Sequence, residues 1–289
     1  MRSRCSVAVA VFLTVALPAV VAAAPPVAGP TTLVVCAPGY PGSTAEAASV
    51  MATFAEAVAT ATGRPRGALA AEYHETEAGG LERLARPDAG FVLSPLPFFL
   101  EHETALHLVP RVQAVMQGGE PTEEYALIAG KGKLSGPAAL GGWEILGTVG
   151  YAPRFVRGPV LGSWGELPAT TKIVSSGAVL SGLRRSAAGE KVAVVLDRAQ
   201  ASGLASLPYA AELEVVTRSG ALPAFVVATV GDRVAPALAG EITKALLGLA
   251  AHPDGAAALS NLRLSGFVPL DDAGLRKARR AWTAVAAKP

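Results

Sequence analysis

The apolar positions of this chain fall into short runs that alternate with amphipathic segments. The run "TTLVVCA" (31–37) predicts a buried strand, and "PGYPG" (38–42) predicts a turn after it. A helix is predicted next, because Ser43 and Glu46 have the spacing of a capping box and apolar residues then repeat every four positions. The first unit is therefore a strand, a Gly/Pro loop and a capped helix.

The same alternation continues along the chain. Short helices are predicted in "EAGGLERLA", in "AVLSGLRRSAAG" (178–189) and in the C-terminal tail. Short strands that alternate with short helices are typical of α/β proteins, and here they predict mainly parallel sheets. The further strands are predicted at 69–73, 89–95, 105–116, 123–132, 143–151, 171–177, 191–200 and 213–231.

Two such cycles, joined by the Gly-rich segment at 130–142, predict two lobes with a cleft between them. We expect ligands in this cleft, because open parallel sheets bind ligands at the carboxyl ends of their strands. The predicted division is a leader at 1–24, the first part of lobe one at 25–132, lobe two at 133–218, and the return to lobe one with the C-terminal helices at 219–289.

The first 24 residues have the pattern of a cleavable export signal: a basic start, an apolar run and small residues up to Ala24. The run is shorter than the roughly 20 residues that a membrane-spanning helix needs. We predict a mature periplasmic protein that begins near Ala24 or Pro25; an uncleaved anchor is the alternative. Removal of the leader takes away Arg2 and Arg4, so the mature chain has 23 basic and 23 acidic residues. This balance gives no indication of a nucleic-acid partner.

The sequence contains none of the metal-site and enzyme motifs considered below. His102 and His107 are five residues apart, whereas a zinc helix needs two His four apart. The chain has no G-x-S-x-G elbow and no phosphate-binding glycine loop. Cys36 lies in an apolar run and is predicted to be a buried small side chain. We expect no metal, no cofactor and no catalytic residues.

Hydroxyl side chains follow three of the predicted strands, at Ser43, Ser94 and Ser175–Ser176. A helix N-terminus attracts anions, so these three positions would form an oxyanion pocket if they faced one cleft. Each Ser could equally well only cap its own helix. Asp197 ends another apolar strand, where it would be a functional carboxylate, a helix cap or part of an ion pair between the lobes.

Four segments resemble the periplasmic phosphate/phosphonate-binding proteins of ABC importers, which have the two-lobed type II solute-binding fold. They are "VVCAPGYPGSTAEAASVMATFAEAVATATGRP" (34–65), "DAGFVLSPLPFFLEH" (88–102), "SSGAVLSGLRRSAAGEKVAVVLD" (175–197) and "LAAHPDGAAALSNLRLSGFVPLDDAGL" (249–275). The resemblance implies a monomeric, non-catalytic α/β receptor that closes on a small solute and delivers it to an ABC permease. A periplasmic sensory or accessory protein with the same fold is the alternative.

The resemblance also implies a site, with one departure from the family pattern. The family commonly has a Ser/Thr-rich turn that grips the phosphonate at the first helix of lobe two, whereas "GYAPRFVRGP" (150–159) has Tyr151 alone. Either Arg154 or Arg157 replaces those hydroxyls against a different anion, or the pocket suits another solute, such as a zwitterionic aminophosphonate-like compound. The residues expected to bind it are Tyr40, Ser43, Thr44, Ser94, Phe98, Tyr151, Ser175, Ser176 and Asp197.

Overall fold

The computed structural model describes residues 30–40 and 42–286, so the predicted leader lies outside the described residues. The helices are α1 (Thr44–Ala61), α2 (Glu77–Leu84), α3 (Leu96–His102), α4 (Pro153–Phe155), α5 (Val179–Ala187), α6 (Arg198–Ser202), α7 (Pro236–Gly248), α8 (Pro253–Asn261) and α9 (Asp272–Ala286). The strands are β1 (Thr31–Cys36), β2 (Leu69–His74), β3 (Ala89–Pro95), β4 (Leu108–Met116), β5 (Thr122–Glu123), β6 (Ala126–Gly130), β7 (Glu144–Gly147), β8 (Lys172–Ser175), β9 (Val192–Leu196), β10 (Leu213–Arg218), β11 (Leu222–Pro223), β12 (Phe225–Val230) and β13 (Leu264–Pro269). Most predicted elements are confirmed within a few residues.

Two larger sheets organise the fold. The first has the order β13-β4-β12-β3-β1-β2, and the second has the order β10-β6-β9-β7-β8. The prediction of mainly parallel sheets is wrong, because five of the nine strand pairings described in these two sheets are antiparallel. The reason lies in the chain path: β12 begins opposite the end of β3, with Phe225 paired to Pro95, and β6 begins opposite the end of β9, with Ala126 paired to Leu196. A strand that begins at the cleft edge of a sheet runs away from the cleft, and it is therefore antiparallel to a neighbour that ends there.

The chain crosses between the two sheets beside a small ribbon in which β5 and β11 pair antiparallel. β4 belongs to the first sheet and β6 to the second, while β10 belongs to the second and β12 to the first. The predicted boundary at residue 132 therefore divides the chain after β6, a strand of the second sheet. The domain limits remain a prediction, and the sheet order favours crossings near 117–125 and 219–224.

The capping box predicted for α1 is present, with the Ser43 side chain accepting from the backbone of Glu46 and the Glu46 side chain accepting in return. The helix then buries Met51, Phe54 and Val58 in a core that it shares with the first sheet, α7 and α8. A second core contains residues of both sheets and so packs the lobes together. In the described part of the chain, no helix has the length and apolar character to cross a membrane.

The last helix, α9, contacts both lobes. Arg279 donates from Nε to Glu103 Oε2 at 3.0 Å, just after α3 in lobe one. On the lobe-two side, the Arg154 guanidinium lies 4.1 Å from the centre of the Trp282 ring, and its Nε donates to the Trp282 carbonyl at 3.2 Å. The C-terminal helix thus contacts both lobes, and it packs most extensively on residues 153–160 of lobe two.

Candidate functional site

Loops from the two sheets meet in a narrow cleft. Lobe one contributes the loop after β1 and the β3–α3 junction, and lobe two contributes residues before β6, after β7 and after β9. The space left between them is about 20 Å³, room for roughly one water molecule. Its lining consists of Pro38, Gly39, Tyr40, Pro95, Pro97, Tyr125, Thr148, Val149, Tyr151 and Asp197.

Tyr40 reaches the cleft from the loop after β1. Its ring lies against the Phe225 ring, with centroids 5.1 Å apart and planes at 60°. The preceding Gly39 has φ of 85°, and a Cβ there would lie 3.3 Å from the Thr148 carbonyl oxygen of lobe two. Glycine is therefore needed at this point, both for the turn and for the close approach of the lobes.

Tyr151 is the lobe-two counterpart of Tyr40, in a short 3-10 turn after β7. Its hydroxyl is buried and has no hydrogen-bond partner among the described residues. The pKa of Tyr151 is raised, first by burial and then by Tyr40 and other neighbours, so the hydroxyl keeps its proton. A buried hydroxyl without a partner costs about 1–3 kcal/mol, which makes Tyr151 a donor in need of an acceptor.

Asp197 supplies a carboxylate to the same cleft. It caps α6, where its side chain accepts from the Gln200 backbone at 2.8 Å. Burial raises the pKa of Asp197, and burial also raises the pKa of Glu123, whose Oε1 accepts from the backbone N–H groups of Glu124 and Arg198. The Asp197 and Glu123 charges in turn contribute, after desolvation, to the raised pKa of Tyr40. This end of the cleft is electronegative.

The predicted oxyanion site at the N-terminus of α1 is already occupied by two carboxylates of the chain. Glu46 Oε2 accepts from the backbone N–H of Ser43 at 3.0 Å and from its hydroxyl at 2.8 Å. Glu75 Oε2 accepts from the Thr44 backbone at 3.1 Å and from its hydroxyl at 2.8 Å. Neither Ser43 nor Thr44 lines the cleft, and both are engaged with these internal partners.

Ser94 does not cap a helix, which corrects the sequence-based expectation. It lies inside β3, completely buried, and its hydroxyl has no partner among the described residues. Pro95 is the residue before α3, and it provides no side-chain cap. Phe98 is 1% exposed and packs in the core against His102, with ring centroids 4.6 Å apart. Pro95 and Pro97, rather than Ser94 and Phe98, form the lobe-one wall here.

Ser175 and Ser176 also differ from the expectation of a capped helix start. Ser175 is the exposed last residue of β8, and α5 begins only at Val179 without a side-chain cap. The Ser176 hydroxyl accepts from the backbone N–H of Ala178 at 3.1 Å. Both residues lie outside the cavity lining.

The two arginines proposed to replace the missing hydroxyls are held elsewhere. Arg154 stacks on Trp282, as described above. Arg157 donates to the backbone carbonyls of Leu167, Pro168 and Thr171, at 3.2, 3.3 and 2.7 Å. In the part of the chain that the structure describes, the cleft lining contains no arginine or lysine.

Two polar residues of the cleft were missed from the sequence. Thr148 is the first residue of the 3-10 turn that ends at Tyr151, and it lines the cleft. It lies two positions before residues 150–159, where the family commonly has its Ser/Thr-rich turn. Tyr125 is 7% exposed and packs edge-on against Phe155. A search of the whole β7–α4 connection would have found Thr148, whereas Tyr125 gave no local signal. The described residues contain no His, Cys, Asp and Glu cluster suited to a metal ion.

Residues 174–275 match the family model described as "ABC transporter, phosphonate, periplasmic substrate-binding protein". This segment runs from the end of β8 into α9 and includes Asp197. The match confirms the resemblance inferred from the motifs, and it favours an importer role over the sensory alternative. No curated protein sequence matches the chain.

Solved structures share the fold at low sequence identity. XAC2383 from Xanthomonas citri, bound to chloride ion, has a TM-score of 0.66 at 16% identity, covering 89% of this chain and 99% of that one. A binding-protein component of an ABC phosphonate transporter from Pseudomonas aeruginosa has a TM-score of 0.58 at 15% identity, covering 89% and 87%. PhnD1 from Prochlorococcus marinus, in complex with methylphosphonate, has a TM-score of 0.58 at 12% identity, covering 90% and 100%. The predicted two-lobed α/β fold is confirmed.

Proposed function

We propose that this chain, a periplasmic substrate-binding protein of the ABC phosphonate-transporter type, receives its solute between Tyr40, Tyr151 and Asp197 and delivers it to a membrane permease. The family match supports the transport role, which in this family is in general non-enzymatic. The geometry supports the site, because these three residues come from both lobes and line one cavity. We further propose that the receptor works as an exported monomer.

The solute that fits this cleft best is a zwitterion with a phosphonate group and an ammonium group. Asp197 and the neighbouring Glu123 favour a cation and disfavour a bare dianion. The Tyr151 hydroxyl, buried and without a partner among the described residues, is a donor for a phosphonate oxygen. Thr148 and Tyr40 line the same cavity and offer further hydroxyls. The unpartnered Tyr151 hydroxyl, in a cavity that Asp197 also lines, is the observation that carries this proposal.

Binding requires the lobes to separate, because a cavity of about 20 Å³ holds no solute of this size. The β5–β11 ribbon lies at both chain crossings, so it is the segment about which the lobes would rotate. Small-angle scattering with and without solute would measure this change. A radius of gyration that is identical in both samples would argue against a closing receptor.

The test is calorimetric titration with 2-aminoethylphosphonate, methylphosphonate and inorganic phosphate. We expect the zwitterion to bind most tightly, and Tyr151→Phe to weaken it about tenfold to a hundredfold, as expected for loss of a hydrogen bond to a charged group. Tyr209→Phe is the matched control, because the Tyr209 hydroxyl donates to the Leu180 carbonyl at 3.1 Å and does not line the cleft. The proposal is rejected if no phosphonate binds, or if Tyr151→Phe and Tyr209→Phe bind the zwitterion equally well.

We further propose that the leader is removed near Ala24, which releases the protein from the membrane into the periplasm. N-terminal sequencing of the protein exported by intact cells measures this directly. A mature chain that begins within a few residues of Pro25 is expected. A chain that retains residues 7–21 would support the anchored alternative instead.

A further inference from the structure

A second cavity lies beside the cleft on lobe one. Its volume is about 310 Å³, at the lower end of the range for small-molecule pockets. Tyr40 is common to the linings of this cavity and of the cleft. Phe225, whose ring lies 5.1 Å from that of Tyr40, also lines the second cavity. Tyr40 therefore forms part of the wall of both spaces, and Phe225 packs against it on the side of the second cavity.

The walls of this second cavity are mainly hydrocarbon. Val35 and Leu93 come from the ends of β1 and β3, and Met116 comes from the end of β4. Leu262 follows α8, and Leu264 begins β13. Among the described lining residues, the single charged one is Arg263, which is exposed. Burying an apolar ligand group against such a wall is favourable, because it removes hydrocarbon surface from water. An isolated ion would lose its hydration there without gaining a hydrogen bond or an opposite charge.

We propose that this cavity is an apolar subsite, which takes a hydrocarbon substituent of the same solute whose charged head lies in the cleft. The inference rests on the proposed function, since the head group must be held by Tyr151 and Asp197. Tyr40 lines both spaces, and this shared wall is the reason for assigning the cavity to the solute. The preferred solute is then an aminophosphonate with an alkyl or aryl side chain, rather than the shortest member of the class.

The experiment uses 1-aminoalkylphosphonates with side chains from hydrogen to pentyl, titrated into the parent protein and two variants. The head group is constant in this series and the hydrocarbon grows by one methylene at a time. Affinity is expected to rise up to about fourfold per buried methylene until the cavity is filled. Leu262→Trp fills the cavity from a half-buried position, and it should abolish this gain while leaving the affinity for aminomethylphosphonate within about twofold.

Leu247→Trp is the control, because Leu247 is an exposed leucine of lobe one that lines neither cavity. It should keep the full gain with chain length, and thermal unfolding of each variant checks that it is folded. If aminomethylphosphonate binds but longer members bind no better, or if Leu262→Trp keeps the gain, the subsite is rejected and the proposed function stands. If no member of the series binds the parent protein, the subsite is rejected, and the titration with 2-aminoethylphosphonate and methylphosphonate decides separately on the proposed function.

Discussion

The Asp197 carboxylate accepts a hydrogen bond from the backbone N–H of Gln200 at 2.8 Å while the same residue lines the interlobe cleft. The Gln200 side chain accepts in return from the Asp197 backbone at 3.2 Å. One carboxylate therefore serves two purposes: its hydrogen bond holds the first turn of α6, and its charge faces the cleft. The sequence left these roles as alternatives, and the structure is compatible with both at once.

Substitution at Asp197 separates the cap from the charge. Asp197→Asn keeps a good capping side chain and removes the charge, so stability should change little while affinity for an ammonium-bearing phosphonate falls and affinity for a simple anion rises. Asp197→Ala removes both and should also lower the free energy of unfolding by about 1 kcal/mol. Urea unfolding and calorimetric titration measure the two effects. Unchanged ligand preference in Asp197→Asn would place the solute elsewhere.

The raised pKa of Asp197 makes both stability and binding depend on pH. Between its ordinary value of 3.8 and the raised value, the folded protein holds a proton that the unfolded chain has lost, so the contribution of Asp197 to stability falls as pH rises through this window. A bound ammonium group favours the ionised carboxylate, so affinity should rise with pH over the same window and binding should release protons. Titration in buffers of different ionisation enthalpy counts these protons. Asp197→Asn should lack this contribution, and an equal proton release from both proteins would exclude Asp197 as the source.

The two buried hydroxyls of Ser94 and Thr32 should respond in opposite ways to alanine. The Ser94 hydroxyl has no partner among the described residues, so Ser94→Ala should leave stability unchanged or raise it by about 1 kcal/mol, with no loss of ligand affinity. Thr32 Oγ1 donates to Asp88 at 2.8 Å and accepts from Arg83 at 2.9 Å, so Thr32→Ala should destabilise by about 1–3 kcal/mol. Thermal and urea unfolding compare the pair. A Ser94→Ala protein that is destabilised as much as Thr32→Ala would contradict an unpartnered Ser94 hydroxyl.

The packing of α2 on β1 predicts a large difference between two glycine substitutions. A Cβ at Gly80 would lie 2.1 Å from Cys36 Sγ, so Gly80→Ala should destabilise by about 1–3 kcal/mol despite the better helix propensity of alanine. Gly240 in α7 is exposed and has open space around it, so Gly240→Ala should stabilise by about 0.5–1 kcal/mol. Adding Cys36→Ala to Gly80→Ala should recover part of the loss, because it removes the nearest atom. Equal unfolding free energies for the two single variants would contradict this packing.

The burial of Cys36 also determines the reactivity of its thiol. Burial raises the pKa of Cys36 to about 12, with a further contribution from Glu77. The thiol should therefore react with a thiol reagent at pH 8 only as fast as the protein unfolds. This agrees with the sequence-based expectation of a buried small side chain.

Local features of the sequence were sufficient for most elements of the fold. The apolar run of β1 and the capping box of α1 are encoded within a few neighbouring residues, because strand burial and helix capping depend on short-range spacing. The two strand–helix cycles joined by the Gly-rich segment predicted the two lobes, and the four family-like segments indicated the same architecture. Tyr40, Tyr151 and Asp197 line one cavity because they follow strands whose ends face the same edge, and their role in binding stays a prediction.

Distant partners decided the rest. Glu75 lies 31 residues after Thr44 in the chain, yet its carboxylate accepts hydrogen bonds from the Thr44 backbone N–H and hydroxyl. These are donors that the sequence analysis assigned to an anionic ligand. Ser94 was expected to cap a helix because Ser and Pro often do so, but the register of β3 against β12 keeps it inside the sheet. The directions of β6 and β12 follow from where the chain re-enters each lobe. Spacing along the chain thus determined which elements form, whereas sheet register and long-range hydrogen bonds determined which side chains remain available to a ligand.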